Sequence, residues 1–275
     1  MDRPSHSRFR GRQSPTAPSA AAESSPDRPY FPHQPKSLAG IATRAFFLGA
    51  ALAASLIATA VVLLATHSPL WRLPFFVATL ATFHFLEFWT TATYNTRAAE
   101  VGSFLLTANW PAYAMAHAAA GLECLAVGLL FPRGGAWAWA LPSAGFFAGP
   151  LRPALLLVPL GLALVVAGQT VRTAAMVQAG ASFHHLVQQR RHESHVLVTT
   201  GIYARLRHPS YFGFFWWALG TQLVLGNVVC FFLYGVVLWH FFSTRVKQEE
   251  AYLVKFFGSE YQDYRNRVGT KIPFV

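Results

Sequence analysis

The sequence predicts an all-α integral membrane protein with about six transmembrane helices, the last two forming a short helical hairpin. Of the 275 residues, 53% are hydrophobic and 12% are charged, whereas an ordinary soluble domain has roughly 25% charged residues. The apolar residues form uncharged runs of about 20 residues, the length that a helix needs to cross a bilayer. Most polar residues follow the fourth run, and we expect them to form a cap on one face of the membrane.

Four apolar runs predict the first four spans. They cover residues 45–65, 73–89, 110–131 and 154–171, within a membrane region that we place at 38–180. Pro111 opens the third run, where a helix start tolerates proline. Residues 137–149 are apolar but contain glycine and proline and are too short to span. We therefore expect an interfacial or re-entrant segment within 135–150.

Residues 212–242 predict the hairpin. They are apolar apart from a few uncharged polar side chains and His240, and Gly226-Asn227 near the middle is a turn signal. Each leg has only about 14 to 15 apolar residues, or about 22 Å of helix. We therefore expect a short hairpin over residues 210–243.

The formal charge of +11 is placed at the ends of the apolar runs. Six spans put both termini on one side, and the flanking arginines and lysines favour the cytosol for both. A soluble nucleic-acid-binding protein would instead carry basic faces on a polar chain. Residues 1–37 are rich in Pro, Ser, Ala and Arg without apolar periodicity, and we expect them to be disordered.

The region at 181–275 carries most residues suited to chemistry. Just before it, Arg172 lies at the cytosolic end of the fourth run, where one interpretation is a side chain that snorkels to the headgroups. The polar stretch at 182–201 contains four histidines, which raises the question of a metal site. We expect none, because no suitably spaced histidine pair has a carboxylate beside it. Both cysteines lie in apolar segments, which disfavours a disulfide or a thiolate site.

The string Arg-Leu-Arg-His-Pro-Ser-Tyr at 205–211 leads directly into the hairpin. Pro209 disfavours the helical conformation at His208, so the backbone there is extended and its polar groups are available to a ligand. The alternative interpretation is a cationic anchor at the membrane interface, with Tyr203 and Tyr211 as interfacial aromatic residues.

Arg245 and Glu249 follow the hairpin at a helical spacing of four. This spacing also suits a simple intrahelical ion pair, which stabilises a helix only slightly. Residues 256–264 then predict the end of that helix, a stop at Gly258 and a second short aromatic helix on the interface.

Taken together, these strings resemble the isoprenylcysteine carboxyl methyltransferase family. The matching strings are RTAAMVQAGASFHHLVQ at 172–188, HVLVTTGIYARLRHPSYFGFFWWALGTQ at 195–222, FFSTRVKQEEAYLVKFFGSEYQDYRNRV at 241–268, and the closing IPF. FHFLEFWTTATYN at 83–95 is similar to a further segment of the family, whereas the N-terminal tail is not. Six spans resemble the shorter, fungal-type form.

The resemblance implies an endoplasmic-reticulum enzyme whose cytosolic C-terminal cap is catalytic. It implies S-adenosylmethionine as methyl donor and the C-terminal carboxylate of a farnesyl- or geranylgeranyl-cysteine in a prenylated CAAX protein as acceptor. The positions matching the family's donor contacts are Gln188, His195, Val196, Leu197, Val198, Tyr203, His208, Pro209, Ser210, Tyr211 and Glu249. Arg245 matches the substrate side and Arg172 matches a position near the reacting carboxylate, so the resemblance implies that both arginines are catalytic.

Other classes of membrane protein remain alternatives at this point. Phospholipid N-methyltransferases and NADPH-dependent sterol reductases also have a string similar to RHP-Y-G and a late glutamate. A transporter or receptor would place ionisable groups within the membrane. His84, Glu87, His117 and Glu123 are such groups, and we expect them to form packing contacts between the second and third spans or to line an opening to lipid.

Overall fold

The structure, a computed structural model, describes residues 26–130, 153–191 and 195–275, and these ranges contain helices and no strand. The α-helices in them are α1 Leu38–Val61, α2 Arg72–Tyr94, α3 Ala112–Leu130, α4 Pro153–Ala179, α5 Pro209–Leu225, α6 Val229–Phe257 and α7 Ser259–Arg267. Short 3-10 turns at Thr96–Ala98 and Val101–Phe104 connect α2 to α3, and Gly201–Ala204 precedes α5. The segment expected within 135–150 lies outside the described residues.

The predicted fold class, an all-α integral membrane protein, is confirmed. Among the described helices, five are long and apolar enough to cross a membrane: Leu38–Thr66, Pro69–Tyr94, Ala112–Leu130, Leu156–Ser182 and Val229–Phe257. α5 has 17 residues and pairs with α6 in the expected hairpin. An apolar stretch of 18 residues within the first span contains no buried residue, so that helix is suited to face lipid.

The N-terminal segment differs in part from the expectation of disorder up to residue 37. Residues 26–37 contain a 3-10 turn at Arg28–Tyr30 and pack against the loop that follows α2. There, the amide of Val101 donates to the Pro35 carbonyl at 2.7 Å, and Lys36 Nζ donates to the Arg97 carbonyl at 2.7 Å. Composition alone does not reveal these partners, which are about 60 residues away in the chain.

The hairpin turn lies at the predicted place and is held by a third helix. Gly226 ends α5 with φ of +79°, a conformation that favours glycine. At the start of α6, the carboxylate of Glu123 on α3 accepts the amide N–H groups of Val228, Val229 and Cys230 at 2.7–2.8 Å. These N–H groups have no partner within a helix, so a carboxylate stabilises them in the membrane.

The second leg of the hairpin is longer than expected. α6 continues past residue 243 to Phe257, because no glycine or proline lies between residue 243 and Gly258. Gly258 has φ of +57° and ends the helix, and α7 follows directly at Ser259. This confirms the predicted stop and the predicted short helix after it.

Glycine allows α4 and α5 to pack with their backbones in contact. A Cβ placed on Gly168 would lie 2.6 Å from the Gly213 carbonyl oxygen, and one on Gly220 would lie 2.8 Å from the Gly161 carbonyl oxygen. These two contacts hold the helices together along most of the length of α5. As a result, the first turn of α5 lies against the end of α4 that carries Arg172.

The close approach predicts that Gly168→Ala destabilises the protein. We expect a loss of about 1–3 kcal/mol in the free energy of unfolding, because the added methyl group forces the two backbones apart. Thermal unfolding in detergent measures the effect. The matched control is Gly49→Ala in α1, where an added Cβ has no neighbour within 4 Å. Equal stability of the Gly168 variant and this control would contradict the assignment.

Candidate active site

One cavity lies on the side of the molecule formed by the end of α4, the segment before α5, the late part of α6, and α7. Its walls include each residue that matches the family's donor contacts: Gln188, His195, Val196, Leu197, Val198, Tyr203, His208, Pro209, Ser210, Tyr211 and Glu249. These residues come from three separate parts of the chain. The fold therefore brings the whole predicted donor set together around one space.

The turn before α5 is held in place by a buried carboxylate. Pro209 is the first residue of α5, and His208 before it has a non-helical backbone, as its position before proline predicts. Glu250 on α6 accepts from Arg207 Nε at 2.5 Å and lies 3.1 Å from His208 Nε2. Arg207 also donates to the Val268 carbonyl at 2.5 Å, which ties the C-terminal segment to the same turn.

Tyr203 forms another wall of the cavity. Its hydroxyl donates to the Ala175 carbonyl on α4 at 3.2 Å, and its own carbonyl accepts from the Tyr264 hydroxyl on α7 at 2.7 Å. Burial, reinforced by the negative charge of Glu249, raises the pKa of Tyr203 above its ordinary value. Tyr203 is therefore a neutral hydrogen-bonding group that joins α4 to α7 across the cavity.

Tyr211 connects the cavity to a cation on its far side. Its hydroxyl donates to Glu249 Oε2, and it accepts from Arg245 Nε at 2.8 Å. Arg245 Nη2 donates to the carbonyl of His185. Arg245 and Glu249 are thus linked through the Tyr211 hydroxyl, and no direct ion pair between them is found within the described ranges.

Arg172 lies behind the cavity wall in a largely buried position. Its Nε and Nη2 donate to the two carboxylate oxygens of Glu87 on α2, the second at 2.8 Å. Its Nη1 donates to Ser210 Oγ at 2.9 Å, and its guanidinium carbon lies 5.3 Å from the ring centroid of Phe83 and 5.4 Å from that of Phe214. The side chain is only 9% exposed, so it is a buried, paired group rather than one that reaches the headgroups.

His185 lies between the two arginines. Its Nδ1 is 3.6 Å from Glu87 Oε2, and its Nε2 is 3.3 Å from the Thr91 hydroxyl. Burial lowers the pKa of His185 to about 4, although the Glu87 charge acts in the opposite direction. His185 is therefore neutral near pH 7 and contributes hydrogen bonds there without adding a third positive charge.

Arg172 and Arg245 do not line the cavity, unlike the predicted donor set. Each instead bonds to a residue that does: Arg172 to Ser210 and Arg245 to Tyr211. The site thus has a carboxylate, Glu249, facing the cavity and two arginines behind the adjacent wall. Such an arrangement can hold a cationic ligand next to an anionic one.

Sequence reasoning missed several residues of this site. Glu250 was passed over in favour of its neighbour Glu249, and His185 had no assigned role apart from the rejected metal site. Tyr252, Phe256, Tyr261 and Tyr264 also line the cavity. Their spacing of three or four residues along α6 and α7 was an available signal, because such residues share one helical face.

The ionisable groups within the membrane have structural partners. His84 Nδ1 lies 2.7 Å from the Phe104 carbonyl, and its Nε2 lies 3.3 Å from the Tyr113 hydroxyl on α3. His117 Nδ1 lies 3.2 Å from the Tyr234 hydroxyl. Where the structure describes the chain, no group of three His, Cys, Asp or Glu side chains could hold a metal ion.

Comparison with known proteins gives concordant matches. Residues 161–255 match the model of the isoprenylcysteine carboxyl methyltransferase (ICMT) family. The chain is 46% identical over 200 residues to the protein-S-isoprenylcysteine O-methyltransferase of Saccharomyces cerevisiae. The alignment covers 73% of this chain and 79% of that protein. The chain is 35% identical over 236 residues to the protein of the same name from Homo sapiens, which covers 86% of this chain and 75% of that one.

A solved structure matches the fold. It is the eukaryotic intramembrane Ras methyltransferase ICMT (isoprenylcysteine carboxyl methyltransferase), with a TM-score of 0.73 and 34% sequence identity. The match covers 86% of this chain and 77% of that chain. The similarity therefore extends from the C-terminal strings to most of the chain, including the helices that precede the site.

Proposed function

This chain belongs to the isoprenylcysteine carboxyl methyltransferase family, and we propose that it transfers a methyl group from S-adenosylmethionine to the C-terminal carboxylate of a prenylated cysteine. The observation that carries the proposal is the Tyr211 hydroxyl, which joins Glu249 on the cavity to Arg245 behind it. A donor site and an acceptor site can therefore share one wall. The reaction is a methyl esterification.

The chemistry requires positioning more than acid or base catalysis. An oxygen of the acceptor carboxylate forms a bond to the methyl carbon while the carbon–sulfur bond breaks, and S-adenosylhomocysteine leaves as a neutral thioether. The α-carboxyl group has an ordinary pKa of about 3.5 and is ionised at pH 7, so no general base is needed. The site must align the two groups at about 3 to 3.5 Å and exclude water.

The cavity offers suitable partners for the donor. The Glu249 carboxylate provides a negative charge for the cationic groups of S-adenosylmethionine. The Tyr203, Tyr252 and Phe256 rings provide flat apolar surfaces for its adenine. The segment 195–198 lines the same cavity, and the His195 ring lies 6.4 Å from that of Phe256 on α6. We assign the positions matching the family's donor contacts to this role.

The acceptor approaches from the other side of Tyr211. Arg245 provides a positive charge for its carboxylate, and His185 links Arg245 to the Arg172–Glu87 pair, since its carbonyl accepts from Arg245 and its ring lies 3.6 Å from Glu87. The prenyl chain is lipid-soluble and stays in the bilayer. The start of α5, a short helix of 17 residues, lies at the cavity, so we expect the reacting end of the acceptor to lie near the membrane surface. We place the site at the cytosolic surface of the endoplasmic reticulum membrane, with both termini in the cytosol and prenylated CAAX proteins as partners.

The proposal predicts a base-labile methyl ester as product. Membranes containing the protein, given S-adenosylmethionine labelled in the methyl group, should label N-acetyl-S-farnesylcysteine and leave phosphatidylethanolamine and sterol unlabelled. Release of the label as methanol by mild base identifies the ester. Label on the phospholipid amine, or none on the prenylcysteine at saturating donor, would contradict the proposed function.

The donor assignment predicts the effect of Glu249→Gln. We expect the KM for S-adenosylmethionine to rise at least about tenfold, because the substitution removes the charge that faces the donor and keeps the side-chain shape. Initial rates at varied donor concentration measure it. Glu260→Gln, at an exposed position on α7, is the matched control and should leave the donor KM unchanged. A donor KM equal to that of the control would remove Glu249 from the donor site.

A further inference from the structure

Glu87 is a fully buried carboxylate to which the transfer chemistry assigns no role. It lies on α2 and is 1% exposed, and it uses both oxygens to bind Arg172 on α4. The third group near it is the neutral imidazole of His185, at 3.6 Å. The carboxylate and its arginine partner require each other, because an unpaired charge is strongly disfavoured in the membrane.

The two arginines near the acceptor therefore differ in whether a carboxylate neutralises their positive charge. The charge of Arg172 is neutralised by Glu87, and each of its three nitrogens already donates a hydrogen bond. Arg245 donates to two neutral groups, the Tyr211 hydroxyl and the His185 carbonyl. In the part of the chain that the structure describes, no carboxylate lies within ion-pair distance of Arg245.

We propose, on the basis of the function proposed above, that Glu87 is a positioning residue that neutralises Arg172, so that Arg245 alone supplies the charge that binds the acceptor carboxylate. Glu87 also fixes the plane of the Arg172 guanidinium, because it accepts from two of its nitrogens. The acceptor is thereby oriented by Arg172 and attracted by Arg245. Glu87 acts through Arg172 and does not contact the reacting atoms.

The division of roles matters because the acceptor carboxylate is also the nucleophile. Two uncompensated arginines would bind it more tightly in the ground state than in the transition state, in which its negative charge is being lost. Tighter ground-state binding of this kind raises the barrier to reaction. Removal of the Glu87 charge should therefore strengthen acceptor binding and slow turnover at the same time.

The test is Glu87→Gln in the full-length protein, with acceptor binding measured in the presence of S-adenosylhomocysteine so that no reaction occurs. We expect the Kd of N-acetyl-S-farnesylcysteine to fall at least about threefold, the Kd of its methyl ester to stay unchanged, and kcat to fall about tenfold or more. An unchanged ratio of acid to ester affinity, or equal weakening of both, would overturn the proposal. Either result would indicate a purely structural role for Glu87.

Glu123→Gln is the matched control, because Glu123 is a second intramembrane carboxylate whose partners are the amides at the start of α6. Loss of this contact can reduce the amount of folded protein, but it should leave the ratio of acid to ester affinity at the wild-type value. A change in that ratio equal to the one in Glu87→Gln would overturn the proposal, since any membrane carboxylate would then have the same effect.

A double variant keeps the test decisive if Glu87→Gln leaves a buried arginine unpaired and fails to fold. Glu87→Gln combined with Arg172→Gln removes both charges of the pair. We expect its kcat to lie within about twofold of Arg172→Gln alone, because Glu87 acts only through Arg172. A further tenfold loss would show a separate action of Glu87 and contradict the proposal.

Assays of the wild-type protein distinguish failure of the proposed function from failure of the role proposed for Glu87. If it forms no ester from N-acetyl-S-farnesylcysteine, the proposed function fails. If it forms the ester and Glu87→Gln shows the wild-type kcat and the wild-type ratio of affinities, only the role of Glu87 fails.

Discussion

The ion pair between Arg172 and Glu87 determines how the helices around the site must be arranged. A guanidinium this deeply buried requires a carboxylate partner, and the partner comes from a helix 85 residues earlier in the chain. The pair therefore fixes α2 against α4. The glycine contacts between α4 and α5 bring Ser210 to the same guanidinium, since Gly213 lies one turn from Ser210 and Gly168 one turn from Arg172.

The second constraint follows from the proposed reaction, in which the two substrates come from different solvents. The donor is polar and charged, whereas the acceptor carries a prenyl chain that partitions into lipid. Residues within 183–188 and 195–211 and the late part of α6 line the cavity that we assign to the polar donor. Tyr211 is the point where the two sides meet, because its hydroxyl binds one residue of the cavity and one residue behind it.

Sequence predicted the helices, and a set of residues that the fold gathers around one cavity, more completely than the pairing of charges. Runs without charge and the Gly226 and Gly258 stops have local physical causes, so their positions could be read from composition and spacing. Most of the donor set lies within a short polar stretch before α5. The partner of Arg172 could not be found this way, because several intramembrane groups were equally available and only packing selects Glu87. The same limit applied to Glu250, which differs from Glu249 only in the helical face that it occupies.

The central claim is that the acceptor carboxylate binds at Arg245, across Tyr211 from the donor. The most direct measurement is a structure of the complex with S-adenosylhomocysteine and N-acetyl-S-farnesylcysteine, which together cannot react. The account predicts a carboxylate oxygen on Arg245 and within roughly 5 Å of the thioether sulfur, the distance that leaves room for a methyl group in line. A carboxylate bound away from Arg245, or a thioether outside the cavity lined by Tyr203 and Glu249, would contradict it.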